Sequence, residues 1–126
     1  MTKNSSKTLR LTPDDLGRFG HVPRSLLQQV TLRETRLLPP GFDGVTIGKN
    51  VYVRPGFLER PTLLAHELVH VRQYAELGLV RFLTTYVREY AQNLVRLRSH
   101  RAAYLAISLE KQARIETREW IHEQHK

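Results

Sequence analysis

The strongest periodic signal in the chain lies between Pro61 and Leu77, where Leu64, Leu68, Val71 and Ala75 fall at i, i+4, i+7 and i+11, the spacing of one helix face. Pro61 suits the first helical position and Gly78 the stop, so the spacing predicts a helix between them. The pattern resumes at once. Leu79, Phe82, Leu83, Tyr86, Val87, Tyr90, Leu94 and Leu97 recur at helical intervals and predict a second long helix with this stripe facing the core. A third is expected after Ser99, running through Ala102 to about Ile121.

Upstream the elements are shorter. Thr12-Pro13-Asp14-Asp15 offers an N-cap and a proline at the first helical position, while Gly17 and Gly20 confine that helix to a turn or two. Ser25 to Leu32 reads as another short helix. Pro39-Pro40-Gly41 breaks the pattern, and Val45 to Val53 is β-branched and aromatic around Gly48-Lys49-Asn50, so it predicts a β-hairpin or two short strands. The fold expected is α+β and mostly helical, with that hairpin or short sheet packed near the 61–77 helix and two further long helices. Residues 1–8 are expected to form a flexible tail and 9–126 a single domain.

Chemistry enters through His66-Glu67-Leu68-Val69-His70, inside the most periodic helix. Two histidines four apart project from one side of a helix and can grip one zinc ion, with Glu67 beside them as general base. A shuffled chain of this composition carries the pattern about once in fifty, and at 100° per residue both histidines lie nearly opposite the apolar stripe. With no cysteine in the chain, a thiolate site is excluded and every ligand must be His, Asp or Glu.

A catalytic zinc takes three protein ligands and keeps one position open, so a third is needed. Downstream lie His100, Glu110, Glu116, Glu119, His122, Glu123 and His125. Glu110 stands among Ala103, Ala106, Ile107 and Ala113 on the helical wheel, an apolar setting costly for an unpaired carboxylate. Glu116 is the intermediate alternative, and an ion pair of Glu110 with Arg114 is the non-metal reading.

Charge and length bound the rest. The net charge of +8, mostly from arginine, suits an acidic partner, an anionic lipid surface or nucleic acid, and the even spread of arginines along the chain disfavours a dedicated nucleic-acid footprint. The polar start Met1 to Lys7 lacks the apolar core of a signal peptide, and no apolar run reaches spanning length. A cytoplasmic protein without membrane insertion is expected, export by a specialised secretion system remaining open.

Thr46-x-Gly48, Val51-Tyr52-Val53-Arg54-Pro55-Gly56 and Leu63-Leu64-Ala65-His66-Glu67-Leu68-Val69-His70-Val71-x-Gln73 together resemble the small bacterial HExxH metallopeptidase-like domains, minimal gluzincins whose relatives often sit beside or inside bacterial secreted toxins. The resemblance spans about residues 39–116. It implies zinc-dependent hydrolysis of a peptide or protein substrate, with a third ligand in a Glu-x-x-Ala setting that Glu110 to Ala113 matches. It also implies a peptide-binding edge strand at Val51, Tyr52, Val53 and Arg54, and an oxyanion donor for which Tyr86, Tyr90, Tyr104 or an arginine stands available. Where related sites often carry Asp after that Ala, this chain has Arg114, so support for a zinc-bound histidine must come from elsewhere. The alternative is a weak or inactive zinc fold serving as an interaction or delivery module of a toxin or secretion system.

Overall fold

In the computed structural model, residues 8–126 are described; the expected tail therefore falls, Thr8 apart, outside the described residues. The chain forms β1 (Leu9–Arg10), α1 (Pro13–Arg18), α2 (Arg24–Leu27), β2 (Thr31–Glu34), β3 (Gly44–Ile47), β4 (Asn50–Val53), α3 (Pro61–Leu77), α4 (Leu79–Leu97), α5 (His100–Leu105) and α6 (Ser108–Gln124). The fold is α+β and mostly helical, as its patterning predicts. Thr12 caps α1 through a reciprocal box in which its hydroxyl accepts from Asp15 N and the Asp15 carboxylate accepts from Thr12 N.

The four strands are ordered β1-β2-β4-β3. β3 and β4 form the expected antiparallel hairpin, joined at Gly48-Lys49. Ser25 to Leu32 departs from expectation: its helix ends at Leu27, and Thr31 begins a strand that pairs in parallel with β4, Leu32 opposite Val51. Leu27, Val30 and Leu32 stay buried, so one apolar run serves first a helix face and then a strand face.

α3 packs against the sheet through Leu64, Leu68 and Val71, which join Val51 and Val53 in the larger core. Ala75, expected on that stripe, is exposed. Gly78 closes α3 and opens α4 at φ 86°, ψ 158°, a region essentially reserved for glycine, and so permits two helices in immediate succession.

The α4 stripe is only partly core. Phe82 is buried against Tyr74 and Ile107, whereas Leu79, Leu83, Val87, Leu94 and Leu97 are exposed. α4 turns its Phe82 and Asn93 side towards the body, Tyr86 and Tyr90 pack half-buried beside it, and the rest of the apolar stripe stays exposed.

The expected third helix is two. Ile107 is extended at φ −65°, ψ 129°, and separates α5 from α6. Tertiary contacts hold the break: Glu89 of α4 accepts from Ser108 N at 2.7 Å and from its hydroxyl at 2.9 Å, while Arg114 donates to Leu105 O at 2.6 Å. Ala103 of α5 and Ala106 at its C-cap thus lie outside the helix that carries Glu110, which sits in the first turn of α6.

α6 is fastened to α3 by a two-pronged pair in which Arg72 donates to both oxygens of Glu116. This pairing with Arg72 holds the Glu116 carboxyl below its ordinary value of 4.5, with burial opposing. A folded pKa below the unfolded one means the pair stabilises fully above the unfolded value, and that the contribution fades as pH falls through the folded one. Glu116→Gln is expected to cost about 1–3 kcal/mol at neutral pH, measurable by urea unfolding, and to leave a smaller loss in acid.

Candidate metal centre

α3 and α6 bring together three side chains that lie up to 44 residues apart: His66, His70 and Glu110 each offer a ligand atom, all within 4.8 Å of one another. Glu110 Oε1 lies 2.9 Å from His66 Nε2, and Glu110 Oε2 lies 3.2 Å from His70 Nε2. The Tyr86 hydroxyl donates to Glu110 Oε2 at 2.7 Å, fixing the carboxylate from the α4 side. Arg114 bonds Leu105 instead, so the alternative pairing with Glu110 is absent, and Glu116 is committed to Arg72.

His70 is set by a chain of hydrogen bonds. Gln73 Nε2 donates to Leu109 O at 3.1 Å and to Gln112 Oε1 at 2.8 Å, which orients its carbonyl oxygen towards His70 Nδ1 at 2.8 Å. An amide oxygen only accepts, so Nδ1 carries the proton and Nε2 is directed to the site. That Nε2 is buried and, although near Glu110, has no aligned hydrogen-bond partner. Gln73 thus does for His70 what the missing carboxylate at position 114 was expected to do. Its spacing of three from His70 on one helix was the available signal. Gln73→Leu is expected to lower zinc affinity by about 10–100-fold, read by competition with a chelating dye.

The electrostatics favour a positive charge at the centre. Burial alone would raise Glu110, but His66, His70 and Tyr86 together hold it well below the carboxylate range. Burial opposes charge on His70, yet the adjacent carboxylate Glu110 lifts it to about 8. Two imidazoles, one with a buried nitrogen that has no aligned partner, and one carboxylate fit a zinc ion, the His₂Glu set known from catalytic sites.

Glu67 stands beside these ligands without joining them. Its Oε1 accepts from Thr46 of β3 at 2.8 Å, and burial raises its pKa despite the nearby histidines. Gly44 makes room for it. A Cβ at that position would meet the Glu67 carboxyl group at 3.3 Å, so Gly44→Ala is expected to displace the carboxylate and slow any reaction it serves while zinc remains bound, a separation visible by comparing metal content with turnover.

Comparison of the chain with protein-family models, with curated proteins and with solved structures finds no match.

Two cavities meet at Glu67. A cleft of about 720 Å³ has His66 and Glu67 at its base, and a smaller one of about 230 Å³ reaches Glu67, His70 and Glu110 between Ile47 and Leu83. The residues expected to bind substrate are placed differently. Val51 to Val53 lie in β4, hydrogen-bonded to β2 on one side and β3 on the other, with Val51 and Val53 buried under the sheet, while Arg54 pairs with Asp43 at 3.6 Å. No edge is free there. The edge strand beside the centre is β3. Of the tyrosines, Tyr86 is committed to Glu110 and Tyr90 to His100, while Tyr104, also drawn to Glu110, lines the large cleft.

Proposed function

We propose that this chain is a zinc-dependent peptidase. The observation that carries the reading is the convergence of His66 and His70 from α3 with Glu110 from α6, His70 Nε2 being directed to the carboxylate without an aligned hydrogen bond, on the wall of a cleft beside Glu67. A zinc ion held by the three would acidify a water molecule and polarise the substrate carbonyl.

The chain's own groups supply the proton traffic. Thr46 occupies Glu67 Oε1 and leaves Oε2 to take a proton and later release it to the leaving nitrogen. A raised pKa suits that double role, because an acid too strong to hold the proton would not hand it on. Substrate would extend along the outer edge of β3, Gly44–Ile47, by main-chain pairing. Burial first, and the Glu110 charge second, push the Tyr104 hydroxyl up, so it stays protonated and able to donate to the developing oxyanion. Tyr104→Phe is expected to lower kcat by about 10²–10³ with KM little changed, in steady-state kinetics on a cleaved peptide. The reading as a whole is tested by incubating the zinc-loaded protein with a mixed peptide library and identifying new termini by mass spectrometry.

A second reading keeps zinc and drops turnover. The observation favouring it is the exposed part of the α4 stripe, Leu79, Leu83, Val87, Leu94 and Leu97, which the proposed reaction does not use. A full complement of zinc with no cleavage of any library member would select it. An association with toxin or secretion systems rests on the resemblance alone. Among the described residues no helix is long and apolar enough to cross a membrane.

A further inference from the structure

The large cleft is arginine-rich in a way the metal centre does not require. Arg60, Arg101, Arg114 and Arg118 all line it, from three separate segments of the chain, and none lies within ion-pair distance of a carboxylate among the described residues. Apart from Glu67, the only carboxylate in the lining is Asp43, which is already paired with Arg54. Four arginines therefore line one open cleft, Arg60, Arg101 and Arg118 exposed at it and Arg114 half-buried, and none of them is ion-paired within the described chain.

Two of them are also held in place. The Arg60 guanidinium lies over the Phe57 ring at 3.8 Å from its centroid. Arg114 donates through Nη2 to Leu105 O, leaving Nη1 buried without a partner. A buried guanidinium nitrogen without an acceptor is costly, and an incoming carboxylate would accept from it in the forked geometry that arginine matches best. The free edge of β3 begins at Gly44, in the same lining, so a chain paired there passes directly into the arginines. That favours an extended peptide over a nucleic acid, which would need a basic track along the outer surface.

We propose that this cleft selects substrates by their carboxylates, taking an acidic side chain or the peptide's terminal carboxylate close to the scissile bond. The proposal rests on the peptidase reading for the bond cleaved, but its test does not. Zinc-loaded Glu67→Gln, which binds without turning over, is titrated by fluorescence anisotropy with labelled peptides alike except for glutamate or glutamine within the chain, each with a free or an amidated C-terminus. The expected result is binding at least about tenfold tighter for peptides bearing the relevant carboxylate, weakened by salt, with Arg101→Gln and Arg114→Gln each removing about tenfold from those peptides alone. Dependence on glutamate identifies side chains as the source, and dependence on the free terminus identifies the C-terminal carboxylate. Arg101 is exposed and its replacement does not threaten the fold, so it decides the matter if Arg114→Gln is unstable. Equal binding of all four peptides would overturn the proposal. So would arginine variants that weaken all four alike, or an oligonucleotide that binds more tightly and displaces them. Because binding is read without turnover, a protein that cleaves nothing yet prefers carboxylates would refute the peptidase reading and leave this one standing.

Discussion

Glu67→Gln is expected to keep its zinc and to lose about 10²–10⁴ in peptide cleavage, the contribution of a positioned general acid–base group. Glutamine keeps the shape and can still accept from Thr46, so the packing beneath β3 persists. It cannot take a proton from water and return it to the leaving nitrogen. Zinc should be unaffected, because the candidate ligand atoms are those of His66, His70 and Glu110 and not of Glu67. Unchanged cleavage would show that the proton goes elsewhere, and lost zinc would show that Glu67 is itself a ligand.

Replacing Glu110 and Glu116 of α6 in turn should give opposite outcomes. In Glu110→Gln the buried group loses the charge that holds His66, His70 and the Tyr86 hydroxyl around it, and zinc affinity should fall by more than the about 10–100-fold that removal of an outer partner costs. Glu116→Gln breaks the clamp to Arg72 and should lower stability while zinc stays bound at full stoichiometry. The two carboxylates lie six positions apart on one helix, and only their tertiary partners separate a ligand from a strut. Zinc retained by Glu110→Gln and lost from Glu116→Gln would reverse the assignment.

What the sequence carried was whatever is decided locally. The 61–77 helix was legible because a proline and a glycine bound it and its apolar positions repeat; the hairpin was legible from its β-branched run around Gly48-Lys49-Asn50. The pair of histidines came with the helix, and Glu110 with its apolar neighbourhood, although that neighbourhood proved to be assembled by two helices rather than one. The break at Ile107 carries no glycine or proline and is made by Glu89 and Arg114 reaching in from elsewhere. β2 was hidden because its parallel partner lies 19 residues on, and pairing at that distance leaves no local periodicity. The resemblance places the peptide-binding edge at Val51 to Arg54, but β2 takes the far side of β4, so the edge strand beside the candidate metal centre is β3. The apolar side of α4 was read as core by the rule that amphipathic helices bury their stripe, but pattern alone does not say whether a partner element is present.

The support for His70 lies between these extremes. Gln73 sits one helical turn away and could be read from spacing, yet its orientation depends on Gln112 and the Leu109 carbonyl across the α3–α6 interface.

The most direct test is the zinc content of protein purified without chelator, measured by elemental analysis beside His70→Ala prepared identically. The three ligands predict one zinc ion per chain in the native protein and its loss in the variant. A native protein without zinc that takes none up on titration, or a variant that retains it, would contradict the assignment of His66, His70 and Glu110 as a metal centre.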